Sequence, residues 1–352
     1  KRLVKLGKDY AGKFVDLAQW CAKAGMAAES TENYKRAVEY DPENEKARKA
    51  LGYEKQKGAG GWMSPFEKEL RKEMKEGLAK APKGSPSGEQ TEVEKAMGVK
   101  HSRQQSDHFL LESPHLDKVM LENLTQHVEH AHAMWHKLFN QKNLFGDQKM
   151  GFVLFKEESQ HHAFVDKFHQ GDAARKELSK KCMGAIGMHS ECYQGERPMI
   201  SMEDFVIHAT IQVLQESFAI GKPSGGHNPI WITEGTAYFF TRVMKDTALA
   251  GCVDLAGTGG GGQKASKDPK DWPYIIRTFV KEGKDPDINA VIKCTNFAEL
   301  DGAESVKAWS LVDFLLAEHR EKFIEFCKDL RAASDNGEAS FQKVFGWTLA
   351  EL

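Results

Sequence analysis

A chain of 352 residues with 40% hydrophobic content is long enough for two domains or more, and it holds no apolar run of the length that spans a membrane. Its formal net charge of -2, with acidic and basic residues interspersed, provides no electrostatic footprint for nucleic acid or an anionic membrane, which leaves small-molecule, peptide or protein partners. The six cysteines are too few for a disulfide framework in such a length, and none has the paired C-x-x-C spacing of a structural zinc site. Lys1 stands where a Met would begin a gene product and no charged-then-apolar leader follows, so a signal peptide would lie outside this numbering. At the other end Thr348 and Glu351 form a capping-box pattern that stops within its first turn, and the chain is expected to continue.

Residues 10 to 55 carry Ala18, Ser30, Tyr34 and Ala37 at small-small-aromatic-small positions, with Pro42 closing the pattern and Leu51-Gly52 restarting it. This resembles one tetratricopeptide (TPR) unit and the start of another, whose helices are stabilised by stacking on neighbours. Phe14, Leu17, Trp20 and Tyr34 are more apolar area than so short a unit can hide in itself. The segment therefore reads as a docking surface or as a helical brace. From Gln56 to Ser106 the composition turns to Gly, Lys, Glu and Ser, which predicts a linker around one charged helix from Pro65 to Lys80. A strand is expected at His108–Leu111, then a long amphipathic helix through Leu116, Met120, Leu124, Val128, Ala131, Trp135 and Leu138, then a strand at Gly151–Phe155. A helix near Gln160 to Phe168 and an irregular or strand-like section from Ala185 to Ile200 follow. There Cys182 and Cys192 bracket a short Gly-containing stretch, and one disulfide or two thiols fit it equally well. The remainder reads as helical, most clearly over Ala303–Glu318 and Glu321–Ala332.

The chemistry-bearing stretch runs from Phe205 to Phe240. Ser201 is placed to cap a helix with Asp204 in its first turn, and Phe205, Val206, Ile207, Ile211, Val213, Leu214 and Phe218 leave that helix hardly any polar face. The polar groups such a helix buries need partners, so His208 and Gln212, one turn apart, are expected to bond each other, Glu234 or water. The pattern resembles the gluzincin metallopeptidases, in which H-E-x-x-H puts two imidazoles on one helix face around a metal with the Glu as base, and a second helix adds a Glu ligand. Here His208 stands at the first ligand position, Ala209 at the base, Gln212 at the second ligand, and Glu234 of WITEGTA (Trp231 to Ala237) at the third.

Residues from about 107 to 352 are thus similar to the peptidase-MA-like gluzincin domain of bacterial proteins, often joined to TPR segments. The resemblance rests on Ile207-His208, on Trp231–Ala237, and on AWSLVDFL from Ala308 to Leu315 before Phe345-Gly346. It implies a small sheet leading into a helical half, a secreted or cell-envelope location, and at Ser305 the place of an intermediate-stabilising Tyr. With Ala209 unable to act as base and the Gln212 amide a poor zinc ligand, His208 and Glu234 make at best a two-ligand site, so no metal and no catalytic residue is expected. Glu216 lies two turns beyond His208, about 12 Å along the axis at 1.5 Å per residue, too far to share an ion.

Other signals read as structural. His127, His130, His132 and His136 crowd one predicted helix beside and opposite its apolar stripe, which makes solvated histidines of them, although His132 and His136 have ligand spacing. The run from Gly257 to Ser266 has Gln263 where a phosphate loop needs Lys and no apolar strand leading in, so it reads as a mobile loop near the cleft. No G-x-S-x-G elbow is present, and Cys252 has no nearby His. The expected protein is mostly helical α+β: a TPR-like segment over 1–58, a linker over 59–106, and a gluzincin-like domain over 107–352 that has lost catalysis and works through a protein or peptide partner, by scaffolding or by self-assembly. The contrasting expectation is a zinc-dependent hydrolase or metal-binding protein that uses His208, Glu234 and a third ligand such as His227 or His189.

Overall fold

A computed structural model describes residues 2–56, 61–142, 146–169, 171–181, 184–186, 189–195, 198–217, 228–248, 272–294, 300, 302–330 and 337–351. It is mostly helical α+β and divides into two compact units, Lys1–Lys72 and Glu73–Leu352.

The first unit opens with α1 (Arg2–Lys23) and α2 (Ala27–Tyr40), packed on each other, followed by α3 (Glu45–Ala50) and a short antiparallel pair, β1 (Glu54–Lys55) with β2 (Trp62–Met63). Small side chains let α1 and α2 approach: Ala11, Val15, Ala37 and Ala47 form the buried core, with Phe14 and Tyr34 laid against it. Phe14 and Tyr40 stack at 5.4 Å. Asn44 caps α3 by accepting the Ala47 amide at 3.0 Å. Of the four apolar residues singled out above, Phe14 and Tyr34 thus pack within the unit, while Leu17 and Trp20 stay exposed at 44% and 60%.

The charged helix α4 (Pro65–Leu78) begins in the first unit and ends in the second. Beyond it the structure departs from the expected linker. Residues 85–105 contribute β3 (Ser85–Pro86), α5 (Glu92–Met97) and β4 (Ser102–Gln105), and both strands belong to the main sheet. Polar pairing holds this part together beside the packing of Val93 and Met97 of α5 on the cluster of Val153, Phe155 and Phe164. Glu94 pairs with Arg103, His101 Nδ1 stands 2.9 Å from Glu112 Oε2, and the Thr91 hydroxyl donates to that same oxygen at 2.6 Å. The Gly-, Lys- and Ser-rich composition concealed strands whose partners lie far along the chain.

The sheet continues with β5 (Phe109–Ser113), then α6 (Lys118–Phe139), β6 (Met150–Phe155), α7 (Glu158–Phe168), α8 (Ala173–Lys181), β7 (Gly184–Ile186) and β8 (His189–Tyr193). Its strand order is β3-β4-β5-β6-β8-β7. The β5–β6 and β6–β8 pairs are parallel and the outer pairs antiparallel, so α6 is the crossover that parallel neighbours require. Every residue of β6 is buried, as its unbroken apolar run MGFVLF demands of a central strand. On β8 the buried Cys192 thiol lies 3.5 Å from Met202 Sδ, while Cys182, its expected partner, lies outside the described residues.

The helical half comprises α9 (Ile200–Glu216), α10 (Ile230–Lys245), α11 (Trp272–Glu282), α12 (Ile288–Lys293), α13 (Gly302–Asp329) and α14 (Glu338–Phe345), closed by a short 3-10 turn at Leu349–Glu351. The two helices expected on either side of residue 320 are one element broken at His319 (φ -136°, ψ 32°), whose ring packs edge-on against Phe314, Phe345 and Trp347. No described helix is long and apolar enough to cross a membrane.

The histidines of α6 correct the expectation of solvated side chains. His127, His130 and His132 are buried, and His136 is half-buried. α6 is covered on more than one face, by the sheet, by α9 and by the end of α4, so residues flanking its apolar stripe are enclosed as well. Gly77 of α4 lies against the His130 ring with no room for a Cβ, and burial pushes that imidazole down to about 4.

Candidate functional site

Three helices frame the site: α9 and α13 each pack against α10. From Asp204 to Gln215 only Gln212 and Val213 of α9 escape full burial, in line with the nearly all-apolar sequence. The helix starts two residues earlier than expected, with Met199 at the cap position, so Ser201 sits inside the first turn rather than capping it. Asp204, correspondingly in the second turn, accepts the Thr247 hydroxyl. Pro229 precedes the first residue of α10, where its fixed φ of -52° suits helix entry and its missing amide proton costs nothing. Gly235 permits the close approach of α10 to α13: a Cβ there would stand 2.5 Å from the Ala308 carbonyl oxygen and 2.7 Å from Val312 Cγ2.

His208, Gln212 and Glu234 come together at the contact of α9 with α10. His208 Nε2 stands 3.3 Å from Glu234 Oε2, and the Gln212 side-chain amide donates to Glu234 Oε1. Glu234 is 3% exposed and His208 2%, whereas Gln212 is half-buried and marks the open side. Ala209, buried beside them, presents only a methyl group. Neither ring nitrogen of His208 has a hydrogen-bond partner among the described residues, Nε2 meeting Glu234 only at ion-pair distance. Ser305 is buried on α13.

Aromatic rings extend from the triad. Tyr238, one turn after Glu234, meets the His208 ring edge-on at 4.8 Å, Trp272 follows at 5.0 Å, and Trp309 lies 5.8 Å from Trp272. The Arg242 guanidinium stands over Trp309 at 4.2 Å, a cation–π contact within a buried wall. Tyr238 was not singled out from sequence, although its i, i+4 relation to Glu234 on one helix face was there to be read. Glu216 serves elsewhere, as its distance along α9 implied: it accepts the Thr233 hydroxyl at 2.9 Å and the Asn228 amide at 3.3 Å, joining the end of α9 to the start of α10.

A zinc ion with ligands at about 2.0–2.1 Å has a tetrahedral edge of about 3.3 Å, so His208 Nε2 and Glu234 Oε2 stand at a separation that one ion would bridge. The third donor fails the test. Gln212 turns its amide N–H toward the carboxylate, and as a neutral amide it binds zinc poorly beside an imidazole. Gln212 thus takes up Glu234 Oε1, and His208 Nε2 stands beside Oε2 at 3.3 Å without a hydrogen bond. Of the other ligands considered, His227 and the His189 side chain lie outside the described residues, as do Cys252 and the run from Gly257 to Ser266. No family model matches the sequence, and no match is found among curated proteins.

Proposed function

We propose that the second unit is a metallopeptidase-like domain of gluzincin type that has lost catalysis and binds a peptide segment at the contact of α9 with α10, with the TPR-like first unit serving assembly or partner docking. The observation that carries this reading is the occupation of the Glu234 carboxylate by the Gln212 amide, with His208 Nε2 3.3 Å from its other oxygen and Ala209 where the base would stand. General-base assistance is worth about 100- to 10,000-fold, and a methyl group supplies none of it. The two-ligand donor set removes the activated water as well. Binding needs less: an aromatic wall and a polar atom free to bond, reached by moving one half-buried side chain. Tyr238 and Trp272 are buried beside His208, whose Nδ1 is unbonded, and half-buried Gln212 is the side chain that must move to admit a peptide to them.

A peptide library tests both halves. With zinc supplied, the full chain is expected to turn over no peptide faster than Glu234→Ala does. It is expected to retain a subset of peptides that Gln212→Arg, which fills the opening, binds at least 10-fold more weakly. Zinc-dependent hydrolysis that disappears in Glu234→Ala would sink the loss of catalysis, and binding indifferent to Gln212→Arg would move the peptide site elsewhere.

A further inference from the structure

The donor set that the α9–α10 contact lacks is present on α6. Glu129 and His132 are three residues apart, a Glu-x-x-His spacing that projects a carboxylate and an imidazole to the same side of a helix. His108, just before β5, brings a second imidazole to the same place. One ligand atom from each of the three lies within 4.8 Å of the others. We propose that His108, Glu129 and His132 bind one divalent transition-metal ion of zinc type.

The site is preorganised by backbone as well as side chains. The His108 carbonyl accepts the Met150 amide at 2.9 Å, and its own amide donates to Glu129 Oε1 at 3.0 Å. His108 Nδ1 stands 2.8 Å from Glu129 Oε2, and the His108 and His132 rings stack at 4.0 Å with 27° between their planes. Against the tetrahedral edge of about 3.3 Å, the 2.8 Å pair needs to open by only about half an ångström to admit an ion. His136 holds the far side of His132, its ring at 4.1 Å and its Nδ1 2.8 Å from the His132 carbonyl oxygen.

Charge points the same way. Glu129 is 5% exposed, and no Lys or Arg among the described residues pairs with it; its partner is His108. His108 meets both Glu129 oxygens, by amide and by ring, but brings no fixed positive charge to this buried carboxylate, and a bound cation would supply one. Two imidazoles and one carboxylate form a nitrogen-rich set that favours zinc over magnesium or calcium and leaves a fourth position for water. The His108 side chain, 26% exposed, gives the ion its way in.

Titration of the metal-stripped full chain with Zn2+, followed by calorimetry, tests the site, with Mg2+ as the comparison ion and Co2+ absorption as a report on coordination. The expected result is one equivalent of zinc bound far more tightly than magnesium. Changing a partner that merely orients a ligand costs about 10- to 100-fold in affinity, so removing a ligand by His108→Ala, Glu129→Gln or His132→Ala should cost at least about 100-fold and abolish the cobalt spectrum. His108→Ala, at the half-exposed position, keeps the test valid should the two buried variants misfold; circular dichroism establishes which variants are folded. His208→Ala is expected to leave the affinity unchanged. Absent zinc binding, or binding that persists in folded His108→Ala, would overturn the proposal.

Discussion

Replacing Ala209 by Glu and Gln212 by His is expected to create zinc binding at the α9–α10 contact. The change creates an H-E-x-x-H sequence on a helix face that already turns His208 and Gln212 toward Glu234. His208 Nε2 and Glu234 Oε2 are at the right separation, and an imidazole at 212 supplies the missing third donor. The His108→Ala background removes the α6 site from the measurement, so the comparison is the triple variant against His108→Ala alone, with an expected gain in zinc affinity of about 100-fold or more. Placing Glu at buried position 209 costs folding stability, of the order of 1–3 kcal/mol for an overpacked site, which the bound ion offsets. Hydrolysis is expected to recover far less than binding. Ser305 stands where the resemblance implies a Tyr, and small misplacements of substrate cost about 100-fold. A triple variant that binds zinc no more tightly than His108→Ala would mean that these helices do not form the framework of a metal site.

Gly235→Ala is expected to destabilise the second unit. An added Cβ falls 2.5 Å from a backbone carbonyl oxygen and 2.7 Å from a Val312 methyl, so α10 and α13 must separate. Overpacking of this kind costs about 1–3 kcal/mol, and the backbone contact puts the cost at the upper end. The gain of about 1 kcal/mol in helix propensity opposes it without cancelling it. Gly12→Ala on α1 is the natural control, since a Cβ there meets nothing within 4 Å, and it should stabilise by about 0.5–1 kcal/mol. Urea denaturation of both variants checks the pair. A neutral or stabilising Gly235→Ala would show that α10 and α13 do not approach as described, and with them the position of Glu234 would be in doubt.

Sequence periodicity located the elements whose burial dominates. The stripe from Met120 to Leu138 became α6, with Leu116 left before its cap and Met120 exposed, the apolar run at Gly151–Phe155 became β6, and the alignment of His208 and Gln212 with Glu234 anticipated their meeting, because helical spacing alone puts the first two on one face. It failed where partners are remote and polar. Strands β3 and β4 read as linker because their stabilising contacts, Glu94 with Arg103 and His101 with Glu112, are not a pattern of period two. The α6 histidines read as solvated because a single apolar stripe was taken to define the core face, whereas the sheet, α9 and Gly77 cover this helix from several sides. The Glu129-x-x-His132 spacing was visible in the sequence, but nothing local placed His108 beside it. The parallel pairing of β5 with β6 supplies that placement, through the Met150 amide bonded to the His108 carbonyl.

The zinc content and zinc affinity of His208→Ala, measured beside the unaltered chain, test most directly whether the α9–α10 contact takes part in metal binding. The expected result is identical stoichiometry and affinity in the two proteins, with any bound zinc lost on His108→Ala instead. About one zinc per chain that disappears with His208 would contradict it.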